Sequence, residues 1–247
     1  MITVPSVALA ELTAGPVDFV WIDLEHGALG VADVQPLAIG SRAARAAVLV
    51  RLPGPDASGT DAILDAGVDG VVAPRIEAAA EAARLVERLR CPPRGSRGIA
   101  ARRGRDYGRA GSLEEVEPDP VCVVQIESQR GVRAAAEIAA VDGVDALVVG
   151  CADLSHSLGE GGRLRAPGVT RAIERVQLAA AGAGVASGLA GPDDPALLAQ
   201  LGGGRSSLFV LSADVRIHAR AVDAGVAALR RALAAPAIEP VDAHVGA

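Results

Sequence analysis

The run VCVVQIES at residues 121–128 and the run DALVVGCADLSHSLG at residues 145–159 decide how this chain folds. Each is an apolar stretch rich in β-branched residues that ends in polar groups which packing does not require. In VCVVQIE a repeat of two puts Gln125 and Glu127 on one face and Val124 and Ile126 on the other, the pattern of a strand. The second run delivers Asp153 just past a Gly turn at Gly150. Carboxylates at the carboxyl ends of two successive buried strands are costly unless a counter-charge meets them, and a divalent cation is one that would. The alternative is a pair of helix N-caps, Asp153 before LSHS and Glu127 or Ser128 before QRGVRAAAEIAA.

Outward from these two runs the same pattern recurs. Strand-like segments stand at ITV (2–4), DFVWID (18–23), AVLVR (47–51), DGVVA (69–73), GVASGL (184–189) and SSLFVL (206–211). Ala-rich amphipathic segments separate them, among them VADVQPLAIGSRAAR, ASGTDAILDAG, EAAAEAARLVERLR, TRAIERVQLAAAG and DVRIHARAVDAGVAALRRAL. Alternation of this kind predicts parallel strands joined by crossover helices. Eight such units in a 247-residue chain predict an α/β fold, a single-domain (β/α)₈ TIM barrel over residues 1–234. An open doubly wound sheet is the competing arrangement, but no GxGxxG follows the first strand. Residues 235–247 have no periodic pattern and read as a loose tail.

The strand ends gather polar residues. DFVWID leads through Asp23 into Glu25-His26-Gly27, AVLVR ends in Arg51, DGVVA ends in Pro74-Arg75, and the two opening runs supply Gln125, Glu127 and Asp153. Active sites of (β/α)₈ barrels lie at that end. His26 beside an acid has the makings of a general base near neutral pH; a capping turn with a surface His is the plainer reading. Arg51, after four apolar strand residues, should point into the barrel mouth and needs an anion, from the protein or from a substrate. Asp65 reads as a surface residue at a helix end or as an orienter for His26 or Arg51. Residues 94–109 carry six Arg and one acid, a density suited to phosphates, CoA or RNA; Gly interruptions and the flanking Cys91-Pro92-Pro93 favour a loop over the mouth or a subunit contact.

Composition narrows the chemistry. The chain is 50% hydrophobic with a net charge of −6, which argues against a nucleic-acid partner, as do its two Phe, one Trp and one Tyr. It shows no apolar run of membrane-spanning length and no basic leader, so a cytoplasmic protein is expected. Three Cys without metal-ligand spacing read as reduced thiols. Every one of the 24 basic residues is Arg, and the absence of Lys excludes lysine Schiff-base catalysis, pyridoxal phosphate attached through lysine, and a Walker-type phosphate lysine.

The segments DFVWIDLEHG, VLVRLPG, ILDAGVDGVVAPRIE, CPPRGSRGI, VVQIES and VVGCADLSHSLG resemble the metal-dependent (class II) pyruvate aldolases related to 4-hydroxy-2-oxoheptanedioate aldolase, grouped with the citrate lyase β-subunit. The likeness spans residues 7–233, in order. It implies a (β/α)₈ barrel in a homo-oligomer, a trimer or a hexamer, with the last helix swapped between subunits. By the same resemblance Glu127 and Asp153 match the metal-binding carboxylates and Gln125 a polar neighbour facing the ligand. His26 matches the catalytic base, Asp23 and Asp65 the acids that support it, and Arg51 the arginine that binds the pyruvyl group. The backbone amides of Ala152 and Asp153 match those that take the substrate carboxylate. Cys151 stands where the family has a proline, the Arg-rich loop is shorter than usual and the first strand is curtailed.

The resemblance agrees with the lysine-free composition, because such an aldolase must stabilise an enolate electrostatically. An all-oxygen site suits Mg²⁺ or Mn²⁺, with Co²⁺ able to substitute. The expected activity is carbon–carbon cleavage of a 4-hydroxy-2-oxo acid to pyruvate and an aldehyde, or the reverse condensation. An acyl-CoA lyase or citrate-type condensing enzyme is the alternative within enzymes, and a non-catalytic barrel subunit the alternative outside them.

Overall fold

A computed structural model describes residues 1–56, 59–100, 102–109 and 119–234; the tail expected at 235–247 lies outside them. Seven parallel strands pair in chain order: β1 Phe19–Asp23, β2 Ala47–Arg51, β3 Gly70–Ala73, β4 Val121–Ile126, β5 Ala146–Gly150, β6 Ala186–Ala190 and β7 Leu208–Val210. Helices alternate with them: α1 Val7–Ala14, α2 Val31–Ala43, α3 Thr60–Asp65, α4 Ala79–Leu89, α5 Gln129–Ala139, α6 Cys151–Ser157, α7 Pro167–Ala183, α8 Pro195–Gly202 and α9 Asp214–Ala234. This is a (β/α) barrel. Among the described residues, those from Met1 to Asp214 belong to one compact unit and those from Val215 to Ala234 to a second.

Strand parity sorts the barrel's core into two. Trp21, Leu49, Val72, Val123, Ala146, Val148 and Val210 face inward and pack on one another. Their neighbours Val20, Ile22, Val48, Val50, Val71, Val124, Ile126, Leu147 and Val149 face outward against the helices. A buried parallel sheet needs apolar residues at both parities, which is why these strands read as continuous apolar runs. Helix ends are fixed locally. Ser128 accepts from Gly131 N at 3.1 Å to start α5, Asp194 accepts from Ala196 N at 3.0 Å to start α8, and the Glu81 carboxylate accepts from Glu77 N at 2.7 Å before α4.

The eighth strand expected at ITV is reduced to a single bridge, Ile2 to Ile22. The chain has no room for more: Pro5 brings no N–H, and Ser6 already caps α1, accepting from Leu9 N at 3.3 Å. Those few residues still close the barrel. Met1 N donates to Ser212 O at 2.6 Å and Asp214 N to Met1 O at 3.0 Å. On the other side Ile2 N donates to Trp21 O at 2.8 Å and Asp23 N to Ile2 O at 3.0 Å. The Asp214 carboxylate, 3% exposed as a residue, takes Thr3 N at 2.9 Å, Val4 N at 3.2 Å and the Thr3 hydroxyl.

The Arg-rich stretch also departs from expectation. It joins α4 to β4, so its two ends lie at the barrel end opposite the strand carboxyl ends, against a loop over the mouth but not against a subunit contact, the other expectation. Within it Arg94 pairs with Asp119 at 2.5 Å, Arg97 with Asp65 at 3.4 Å and Arg109 with Asp106 at 3.5 Å.

Candidate active site

Inward parity carries a polar side chain to the top of three strands. On β1 it runs Phe19, Trp21, Asp23; on β2 it reaches Arg51; on β4 it reaches Gln125 and, one step beyond the strand, Glu127. Register sets Asp23 directly beside Arg51. The Arg51 guanidinium donates to Asp23 through Nε at 2.8 Å and Nη2 at 2.7 Å, while Nη1 lies 3.0 Å from Glu25 Oε2. Its carbon sits 5.3 Å from the centre of the Trp21 ring. Burial works against this charge, but the hydrogen bond and charge of Asp23, with Glu25 and Glu127, outweigh it and raise the Arg51 pKa above its ordinary value.

Glu25 then joins a second arginine. Its Oε1 lies 3.2 Å from Arg75 Nε, and Arg75 Nη2 donates to Pro53 O at 3.1 Å. Arg75 has a left-handed backbone with φ 57°, and its N–H donates to Glu127 Oε2 at 3.1 Å. The other Glu127 oxygen takes Gln125 Nε2. Burial, then the charges of Glu25 and Asp153, push the Glu127 carboxyl up to about 7, against the pull of Arg51 and the Arg75 N–H. Gly150 at the end of β5 leaves the space Glu127 needs: a Cβ there would stand on Glu127 Oε1 and within 2.8 Å of Gln125 Nε2.

The predicted residues therefore separate into groups. Asp23 and Arg51 are in direct contact, Gln125 and Glu127 likewise, and Asp153 acts electrostatically on Glu127 from the first turn of α6. Ala152 is in the same turn, where backbone N–H groups have no partner within the helix. The capping alternative does not describe either carboxylate, because Ser128 caps α5 and Gly150 occupies the N-cap position of α6. His26 is at the mouth with its side chain 68% exposed, and its backbone N–H reaches Asp23 Oδ1 at 3.4 Å. The acid beside its imidazole is Glu25, at 3.8 Å, and not the side chain of Asp23, which the guanidinium of Arg51 occupies. Asp65 stands apart, paired with Arg97.

The sequence pattern gives no role to Trp21 or Arg75, and names Glu25 only as an acid beside His26. Glu25 was legible, since residues 19, 21, 23 and 25 share one parity. Arg75 was not: Gly70 and Val72 set the inward parity of β3, which sends residue 75 outward. Its left-handed φ is what turns it.

Among the described residues no three His, Cys, Asp or Glu gather at metal-holding distances. The protein's donors to a cation would thus be the Glu127 and Asp153 carboxylates, with Gln125 beside them. That set fits a hard divalent ion. Glu127 sits among acids that hold its proton on, and Gln125 Oε1 is buried with no donor facing it.

Comparison with known proteins shows the family. A hydroxypyruvate/pyruvate aldolase of Paraburkholderia phytofirmans is 38% identical over 180 residues, 70% of this chain and 69% of that one. A 4-hydroxy-4-methyl-2-oxoglutarate aldolase of Chaetomium globosum is 34% identical over 197 residues, 77% of this chain and 73% of that one. The crystal structure of an HpcH/HpaI aldolase/citrate lyase family protein from Burkholderia cenocepacia J2315 superposes with a TM-score of 0.86 at 35% identity, covering 93% of this chain and 92% of that one. With the HpcH/HpaI aldolase/citrate lyase family model matched across residues 5–196, the chain belongs to that family of lyases.

Proposed function

We propose that this enzyme cleaves a 4-hydroxy-2-oxo acid to pyruvate and an aldehyde, or condenses the two, through a pyruvate enolate. The observation that carries this is the convergence of Arg51, Glu127 and His26 on the strand ends of a chain without lysine. Glu127 and Asp153 would hold Mg²⁺ or Mn²⁺, with Co²⁺ able to substitute. When bound, the cation supplies Lewis-acid polarisation of the oxo acid.

The protein's own groups do the rest. Two of Arg51's five N–H groups donate to Asp23 and Nη1 lies 3.0 Å from Glu25 Oε2, which leaves N–H groups on both Nη atoms for the substrate's oxo oxygen. The pair with Asp23 fixes the guanidinium plane before substrate arrives, the condition for stabilising developing negative charge. First-turn amides of Ala152 and Asp153 would receive the substrate carboxylate. His26 takes the proton of the 4-hydroxyl in cleavage and returns it to the aldehyde oxygen in condensation, while Glu25 offsets the charge the imidazole acquires. Asp65, joined to Arg97, stands apart from these groups and has no part in the proposed step.

The CoA-dependent alternative draws its support from the Arg-rich segment, whose connection starts and ends at the other end of the barrel. The chain is also proposed to act as a homo-oligomer, a trimer or a hexamer with its last helix exchanged. In α9, taken by itself, Val215, Val222, Val226, Leu229 and Leu233 fall on one face and are 43–77% exposed. Light scattering should give a mass above that of the monomer, and a monomer would remove this part of the reading. No helix among the described residues is long and apolar enough to cross a membrane, and a cytoplasmic setting is part of the same proposal.

The deciding experiment follows the pyruvate methyl signal by NMR in D₂O with Mn²⁺. Exchange that needs the metal and is lost in Glu127→Ala and Asp153→Ala supports the enolate; no exchange in the intact protein refutes it. In His26→Ala, cleavage should fall by about 10²–10⁴-fold with metal binding retained. Loss of the metal would make His26 a ligand.

A further inference from the structure

Arg51 is engaged by its own protein on every nitrogen: each of the three meets a carboxylate oxygen of Asp23 or Glu25, and its side chain is 7% exposed. Arg75 is its opposite. It shares Glu25 with Arg51, the two guanidiniums lying on the two oxygens of one carboxylate at 3.0 and 3.2 Å, yet its side chain is 60% exposed. Of its guanidinium nitrogens, Nε faces Glu25 and Nη2 faces Pro53 O, which leaves Nη1 directed to no protein group among the described residues. The residue adopts a left-handed backbone to stand there, and such backbone is kept only where the surroundings demand it. Gly54 opposite, where an added Cβ would lie 3.5 Å from Arg75 Nη2, leaves the guanidinium room on the mouth side.

The surrounding charge gives this arginine a task. Asp23, Glu25, Glu127 and Asp153 make the mouth strongly acidic, and Arg75 is the cation in this cluster that also faces solvent. We infer that Arg75 reads a second anionic group on the substrate, a carboxylate at the end remote from the reacting oxo acid. This selects aldehydes and aldol products that carry such a carboxylate over neutral ones. The inference rests on the pyruvate-enolate reading of the site. With the oxo-acid end beside Arg51 and Glu127, the remaining end of the substrate would extend toward solvent past Glu25, where Arg75 Nη1 is open to a carboxylate.

The test uses binding, so that it does not depend on turnover. 2-Oxoglutarate and 2-oxopentanoate have the same carbon chain and differ in a terminal carboxylate; their affinities for the Mn²⁺-loaded enzyme are measured by calorimetry. The wild type should bind 2-oxoglutarate roughly tenfold more tightly, in line with one charge-assisted contact at a partly exposed site. In Arg75→Met that ratio should collapse to about one, and Arg75→Lys should restore part of it. Equal binding of the two ligands by the wild type overturns the inference, as does a ratio that survives in Arg75→Met. If Arg75→Met weakens both ligands by the same factor, Arg75 is a positioning residue acting through Glu25, and the inference also fails. Failure of the wild type to bind or exchange pyruvate would instead strike the enolate reading itself.

Discussion

Arg51 shows how one buried residue can carry stability and chemistry together. Arg51→Lys replaces a planar fork by a single ammonium, so the Asp23 carboxylate, 1% exposed as a residue, loses one of its two contacts. Activity should fall by about 3–4 kcal/mol in transition-state stabilisation, comparable to losing one preorganised oxyanion donor. Unfolding in urea should show a further loss of a few kcal/mol, because a buried charge is left partly unpaired. A variant within threefold of wild-type activity would make Arg51 structural only. Glu127 gives a pH signature of its own. Its folded value of about 7 lies above the ordinary 4.5, so the folded metal-free protein holds this proton more tightly than the unfolded chain. That contribution, about 3 kcal/mol, is fully present below pH 4.5 and is lost as pH rises through 7. Urea titrations in chelator at pH 5 and pH 7.5 should show the loss, and Glu127→Gln should lack it. The sequence made both residues legible through strand parity. It could not show that Arg51 is claimed by Asp23 and Glu25, because that depends on register and rotamer, nor could it show Arg75, whose role depends on a backbone angle that parity does not encode.

Single elements were readable wherever period and punctuation agreed. β2 occupies the predicted residues 47–51, and α5 begins directly after Ser128. The exceptions are short pieces ruled by partners far along the chain. ITV is too brief for its own pattern to decide, and α1 declares itself only through Ser6, since just Ala10 and Ala14 of its eight residues are buried. The Arg-rich segment was misplaced because composition says nothing about which end of a barrel a connection occupies; only its position after a helix and before a strand does. β5 carries a sharper lesson. Its last residue is Gly150 because the β4 carboxylate fills the place a side chain would take. Gly150→Ala should therefore leave the circular dichroism unchanged while displacing Glu127, with Mn²⁺ affinity falling tenfold or more; supporting residues typically cost a metal site about 10–100-fold. Retained affinity in a folded Gly150→Ala protein would show that the carboxylate has another position.

The whole barrel depends on a seam of a few residues. Asp214 ties Thr3 and Val4 across a separation of 211 and 210 positions, and Met1 and Ile2 carry the ladder from β7 to β1. Asp214→Ala removes an acceptor from two buried-side N–H groups and should cost about 2–4 kcal/mol. Hydrogen exchange should then quicken at Ile2, Thr3 and Asp23 before it quickens in β4 or β5, whose pairing is untouched; uniform quickening would mean that the barrel opens as one piece. The seam also dictates an order of events during synthesis. Residues 1–4 leave the ribosome before all the rest of the barrel, yet their partners at 212–214 are among the last of it to emerge. Until then the segment at residues 1–4 that borders β1 has no partner on its outer side, an edge open to strands of other nascent chains. A cell making this protein quickly would need either dilution or a holding chaperone for that interval.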